Sequence, residues 1–417
     1  MKKSIVTLIS CLCLVTTVFA QEEIELSPVE MLEQKTLTLE SAVQKLQKFK
    51  VSGYIQTQYQ YGEKDASLKV GSANENPEEA FNRIGIRRGR IKFVYEEGIV
   101  SATFQPDITE KGVSFKDAFL AVKDPWAGTS VLKAGIFDRP FGDEISFSSS
   151  RRESPERSTI FQTLFPEERD LGASLTLQAA KTSPWNILKL DAGLFAGNGI
   201  KQEIDSRLDF IGHLSVAKAI GSDMKIGGGI SYYSGGVYQG TENIYSIAGK
   251  EFVLNNKADN KGQFAKREYV GLDAQFSVMS ALGMTQLRGE YLFGEQPAAK
   301  GNSKSPNAST LPAIDTYNRN FSGGYVVFVQ DIGALPVSAV LKYDWYNPNT
   351  KVSGNENVTD GDIAVNTFGF GFLWRANVNL KLTAYYEINK NETTDKIAKF
   401  SEDRKDNVFT LRLQYKF

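Results

Sequence analysis

From Val51 to the last residue, apolar and polar side chains alternate with a period of two, segment after segment. Leu171, Ala173, Leu175, Leu177 and Ala179 fall on one side; Gly172, Ser174, Thr176 and Gln178 fall on the other. Val378, Leu380, Leu382, Ala384 and Tyr386 oppose Asn379, Lys381, Thr383 and Tyr385. Phe409, Leu411, Leu413, Tyr415 and Phe417 oppose Thr410, Arg412, Gln414 and Lys416. That period puts successive side chains on opposite faces of a sheet. About sixteen such segments follow one another. Nothing after residue 20 approaches eighteen consecutive apolar residues, so spanning helices are excluded.

The connections alternate in length. Those at 97–98, 124–129, 182–185, 221, 282, 333–336 and 376 are tight. Those at 63–79, 107–114, 139–168, 197–206, 235–265, 295–320, 348–363 and 390–404 are longer and polar. Short turns at one end and long loops at the other are the plan of a transmembrane β-barrel, and a soluble sandwich offers no reason for the asymmetry. Tyr61, Tyr95, Phe293, Tyr346 and Trp374 stand near strand ends, where an interfacial girdle of aromatics is expected. The expected fold is therefore all-β: an antiparallel transmembrane barrel of about sixteen strands in the outer membrane of a bacterium, surrounded by its lipid. At that strand number side chains do not fill the interior, and an aqueous channel is expected. Phe417, closing an alternating strand, resembles the sorting signal of such barrels.

Residues 1–20 read as a signal peptide, with Lys2 and Lys3 before an apolar run and Ala20 at the cleavage point. Both cysteines, Cys11 and Cys13, fall inside it, leaving an exported chain without disulfides. Residues 21–49 form a periplasmic helix in this reading. Ser27 and Glu30 fit a capping box, and Pro28 suits the first helical position. Val29, Thr36 and Val43 make one seam and Leu32, Leu39 and Leu46 another, the pattern of a short coiled coil or of one amphipathic helix. Residues 50–417 are the barrel, with a constriction loop at about 139–168. That stretch is long and aperiodic and mixes arginines, carboxylates and phenylalanines, as suits a loop folded against other surfaces.

A net charge of −1 argues against a nucleic-acid binder. The chain has no nucleophile motif and no phosphate-cradling glycine loop, its single histidine is His213, and Asp360-Gly361-Asp362 reads as a polar turn. Neither an enzyme nor a cofactor is expected. The basic residues point elsewhere. From Phe81 to Tyr95 there are five bases and no acid, with Arg88, Arg90 and Lys92 on one face opposite Ile91, Phe93 and Tyr95. Turning a base toward lipid at the bilayer midplane costs about 2–4 kcal/mol, against almost nothing in a wet lumen. These three are expected to face inward, and because Ile84 and Ile86 share their parity, a β-bulge is expected near Gly85 or Gly89. Lys133 is expected inward with Phe137, and Arg151, Arg152, Arg157 and Arg169 are loop candidates for anion binding.

Gly135-Ile136-Phe137, Arg139-Pro140-Phe141, Glu144, Ser148-Ser149, Glu156-Arg157-Ser158, Phe165-Pro166 and Arg169-Asp170-Leu171-Gly172 together resemble the signature of the phosphate-selective porin O/P family. Arg87-Arg88-Gly89-Arg90-Ile91 and Lys116-Asp117-Ala118-Phe119 are similar to that family's early strands. The resemblance implies a trimeric porin passing small anions by diffusion, phosphate or polyphosphate among them, with the third loop setting the size limit. A barrel acting as scaffold or surface protein, or an outer-membrane barrel enzyme, is the alternative.

The resemblance and the heptads lead to an expected homotrimer. Light scattering on the detergent-solubilised protein at physiological ionic strength should give three protomers per particle; a monomer would overturn the expectation. A trimer that survives deletion of residues 24–48 would assign the interface to the barrel wall.

Overall fold

The computed structural model describes residues 27–417. The signal-peptide reading of residues 1–20 lies outside the described residues. Helix α1 runs from Pro28 to Gln47, and its Leu32, Leu39, Leu46, Val29 and Val43 are all exposed.

The remaining chain forms eighteen strands, all joined in one sheet. Sixteen close into an antiparallel barrel, and two make a hairpin in an outer loop. Closure is made by β1 (Phe49–Gly62) against β18 (Val408–Lys416), in register from Tyr54↔Lys416 to Gly62↔Val408. Gly53 and Phe417 exchange both backbone hydrogen bonds at 2.9 Å, extending the seam by one residue. Every backbone amide in lipid needs a partner, so a sheet spans only when its edges meet.

Exposure is inverted relative to a soluble protein. Leu175, Leu177, Leu341, Phe370, Phe372, Leu411 and Leu413 face outward and exposed, while Gln56, Gln58, Gln60, Thr410, Arg412 and Gln414 face inward and buried. The outward band is what lipid requires. Tyr61, Tyr95, Phe293 and Trp374 are exposed on the outer face. Tyr346 is not. It is 4% exposed and shares the inward parity of Lys342 and Asp344, so it is removed from the expected girdle.

Two expected loops differ. Residues 107–114 are not a long connection: β3 (Val100–Thr109) and β4 (Gly112–Lys123) run on until only Glu110 and Lys111 separate them. Residues 235–265 are not all loop. β9 (Met224–Tyr238) continues into them, and β10 (Asn243–Ala248) and β11 (Glu251–Asn256) form a hairpin there. β10 lies parallel to the start of β14 (Thr316–Asp331), stacking Tyr245 on Tyr317 with centroids 4.3 Å apart.

The interior is more filled than strand number alone implies. Residues 139–168, between β5 (Val131–Asp138) and β6 (Arg169–Gln178), fold into the barrel and carry a short helix, α2 (Thr159–Leu164). Phe141, Ile160, Phe161, Leu164 and Phe165 are almost fully buried there. They pack on Tyr233 of β9, Tyr269 of β12 (Phe264–Ser280) and Phe321 and Tyr325 of β14, with ring centroids 4.9–6.5 Å apart within this cluster. Gly142 takes the left-handed conformation, φ +62°, where any Cβ would collide with the Glu290 carboxylate. One side of the lumen is thus an apolar bearing for the loop. The other side stays polar.

The outward band predicts an asymmetric response to charge. Leu341→Arg, mid-strand on β15 (Val337–Asn347), should destabilise the barrel in bilayers by about 2–4 kcal/mol, whereas Leu335→Arg in the turn beside it should cost about 0–1 kcal/mol. Denaturant titration of vesicle-inserted protein measures both.

Candidate functional site

Two β-bulges shape the polar side of the lumen. In β2 (Phe81–Glu97) the register against β1 passes from Gln56↔Arg88 to Thr57↔Ile86, leaving Arg87 as the extra residue. The bulge lies between Gly85 and Gly89, as the parity of Ile84 and Ile86 requires, and Ile84 is turned outward and 78% exposed. In β4 the register passes from Gln105↔Asp117 to Pro106↔Phe115, leaving Lys116 extra. A bulge inserts one residue and reverses facing beyond it. Each of these two adds a base to the wall.

Both bases line a cavity of about 280 Å³ between the folded-in loop and β2–β4, with Arg88, Arg90, Arg157 and Glu156. Glu156 is its hinge. Arg87 donates to it from Nε and Nη2 at 2.8 Å each, Arg88 from Nη2 at 3.0 Å, and Arg412 of β18 from Nη2 at 2.7 Å. Burial opposes its ionisation, yet Arg87, Arg88 and Arg412 together hold the carboxyl well below its usual range. Arg88 also donates to Gln56, and Arg412 to Gln58 and the Pro155 carbonyl. Arg90 donates from Nε to Asp107 at 3.0 Å and from Nη1 to Ser149 at 3.2 Å. Tyr54 bonds Ser149 at 2.6 Å, and Lys381 of β17 (Leu380–Asn391) donates to the carbonyls of Ser150 and Arg152. The loop is therefore stitched to the closing seam of the barrel.

Across the lumen the loop has a second set of fastenings. Glu153 accepts from Arg288, the Glu144 amide donates to Glu290 at 2.5 Å, and the Lys342 ammonium is 3.5 Å from the Glu144 carboxylate. Arg157 is held within the loop by Glu168 and by the carbonyls of Glu144 and Ile145.

The residues expected from sequence separate into groups. Arg88, Arg90 and Arg157 meet at the cavity. Lys92 continues the inward face of β2, half-buried and in no ion pair among the described residues. Lys133 lies apart, its ammonium over the rings of Phe119 and Phe137 at 5.7 and 5.9 Å. Arg169 is bound by Asp117, Asp138 and Glu168 and does not line the cavity. Arg151 is exposed beside Phe147. Arg152 is 5% exposed, and none of its three guanidinium nitrogens has a protein acceptor. Burial, then the charges of Arg157 and Arg88, press its pKa down, but a guanidinium keeps its proton in proteins. Arg87, Lys116, Arg412 and Glu156 were not among the expected site residues. Arg412 shared the parity of Thr410 and Gln414, and the outward facing of Val113 and Phe115 against Leu120 carried the mark of the second bulge.

His213 faces inward, its Nε2 2.9 Å from Asp273. Asp360-Gly361-Asp362 is a 3-10 turn whose Asp362 accepts from Arg319 at 2.8 Å.

No family model and no curated protein matches the chain. Solved structures do. The anion-selective porin from Comamonas acidovorans superposes with a TM-score of 0.55 at 11% identity, over 88% of this chain and 99% of its own. OprB of Pseudomonas putida gives 0.55 at 9% identity, over 90% and 96%. OmpF of Salmonella typhi, in complex with daunomycin, gives 0.54 at 11%, over 88% and 97%. The fold is that of the outer-membrane porins. At these identities the likeness is one of architecture, and the porin fold sets the frame in which the side chains above act.

Glu156 should behave as the clamp of the loop. Glu156→Gln, which keeps the shape and removes the charge, should cost about 3 kcal/mol, as breaking a buried ion pair does, and should raise current noise in a planar bilayer. Because its folded pKa is depressed, the clamp's contribution is complete above about pH 4.5 and is lost only as pH falls through the lowered value. Currents of the parent protein should be equally quiet at pH 7 and pH 5.

Proposed function

We propose that the chain is an outer-membrane diffusion porin that favours small anions, with residues 139–168 as its constriction. The observation that carries this reading is the sharing of one carboxylate by three guanidinium groups: Glu156 serves Arg87, Arg88 and Arg412. Lys381 is held by carbonyl oxygens, and Arg152 has no protein acceptor. The seam between loop and wall therefore carries more positive than negative charge, although the whole chain is close to neutral. Fixed charges in a narrow, low-dielectric space concentrate counter-ions there. The inward Arg88, Arg90 and Lys92, with Lys133 and the loop residues Arg151, Arg152, Arg157 and Arg169, are the anion-attracting set in this proposal. Phosphate and related oxyanions belong to the permeant class, since a guanidinium offers two parallel donors to them. Homotrimeric assembly is part of the same reading.

A scaffold or surface barrel with a blocked lumen is the competing reading, favoured by the apolar bearing under the loop. Single-channel recording decides between them: a porin conducts and a blocked barrel does not.

Replacing Arg88 and Arg90 by glutamine should leave the barrel folded and move the reversal potential in a salt gradient toward cations. The recording belongs at low salt, because the screening length falls to about 3 Å at molar salt. An unchanged reversal potential would remove the ladder from the proposal.

A further inference from the structure

The bases around the 280 Å³ cavity are not equivalent. Arg87, Arg88, Arg90 and Arg157 each donate to a carboxylate, and all but Arg87 also to a further oxygen of loop or wall. Their forks are occupied in holding the loop. The carboxylates are likewise engaged: Glu156 with its three arginines, Asp107 with Arg90 and the Gly89 amide, Glu168 with Arg157 and Arg169, and Glu167, at the exposed rim, with Asn307. Lys116 differs. Among the described residues its ammonium makes no hydrogen bond and no ion pair, although it lines the same cavity from β4, two strands along the wall.

Its position is a backbone matter. Without the extra residue in β4, the outward parity of Val113 and Phe115 would continue to residue 117 and carry Asp117 into the lipid. The bulge holds Asp117 inward, where it accepts from Arg169, and places Lys116 beside the cavity, in the field of Glu168 but in no hydrogen bond or ion pair among the described residues. An anion reaching an arginine here must displace a buried carboxylate, at the cost of breaking a buried ion pair. At Lys116 it breaks no hydrogen-bonded pair. An ammonium is a compact charge with three rotatable donors and imposes no planar geometry on its ligand. Weak, shape-tolerant attraction is also what passage requires, since an ion held too well does not leave.

Resting on the anion-porin reading, we infer that Lys116, set free by the β4 bulge, is the selectivity-determining charge of the cavity, and that the arginines around it are positioning residues for the loop. The channel then discriminates by sign of charge and treats chloride and phosphate alike.

Lys116→Gln should lower anion permeability about fivefold at low salt, the effect of one unit charge about 4 Å away in water, and the anion-to-cation ratio by more. Chloride and phosphate should lose equally, and Lys116→Arg should restore both. Because the only cysteines are Cys11 and Cys13, Lys116→Cys offers a second route in the folded channel. An aminoethyl thiosulfonate should restore anion preference and a sulfonatoethyl one should reverse it. An anion-selective parent with an unchanged Lys116→Gln ratio, a loss confined to phosphate, or a thiol that does not react from the lumen would each overturn the inference. A parent without anion preference would instead overturn the reading on which it rests.

Discussion

Backbone hydrogen bonding at the seam between β1 and β18 is the constraint from which the rest follows. In hydrocarbon an open strand edge leaves a row of unpaired amides, each costing several kcal/mol. The exchange between Gly53 and Phe417, continued through Gly62↔Val408, removes both edges at once. Closure also fixes which side chains meet lipid. With the sheet closed, parity becomes a choice between two solvents, and Leu411 and Leu413 are outside because Thr410, Arg412 and Gln414 are inside.

A closed barrel of this width must then do something with its interior. The loop at 139–168 solves this with two different chemistries on opposite walls. Against β9, β12 and β14 it buries phenylalanines among tyrosines, a contact that is strong and indifferent to ions. Against β1, β2, β17 and β18 it uses Glu156, Ser149 and backbone carbonyls to hold arginines, Lys381 and Tyr54. Since removing either partner of a buried pair is costly, the arginines serve the fold first. The two bulges matter for this reason: each supplies a charge beyond the regular alternation, Arg87 to the clamp and Lys116 to the cavity.

How far the sequence could be read depended on whether a residue's environment imposed a sign. Arg88 and Arg90 were legible as inward because lipid penalises the other orientation by more than any local preference can offset. The bulge between Gly85 and Gly89 was legible because Ile84 and Ile86 broke the parity of Arg88; Val113 and Phe115 break that of Asp117 in the same manner, but with 107–114 read as a loop the β4 bulge went unread. The two-residue turn at Glu110-Lys111 and the hairpin at 243–256 were not, because polar residues cluster around both and read as loop. Tyr346 was misplaced because an aromatic near a strand end suits a girdle and a lumen equally.

Alternation, loop asymmetry and the absence of long apolar runs determined, by themselves, a closed antiparallel barrel of about sixteen strands with bases turned inward. The pairing of charges was beyond them. Residues 139–168 contain acids and bases in similar number, and any arginine there could bond any nearby carboxylate at nearly equal energy. Only the folded loop decides that Glu156 takes three arginines, that Arg169 is enclosed by acids, and that Lys116 stays outside any ion pair among the described residues. A charge-assisted hydrogen bond forms only at about 3 Å, so partnership is decided by distances that exist once the chain has closed around its own loop.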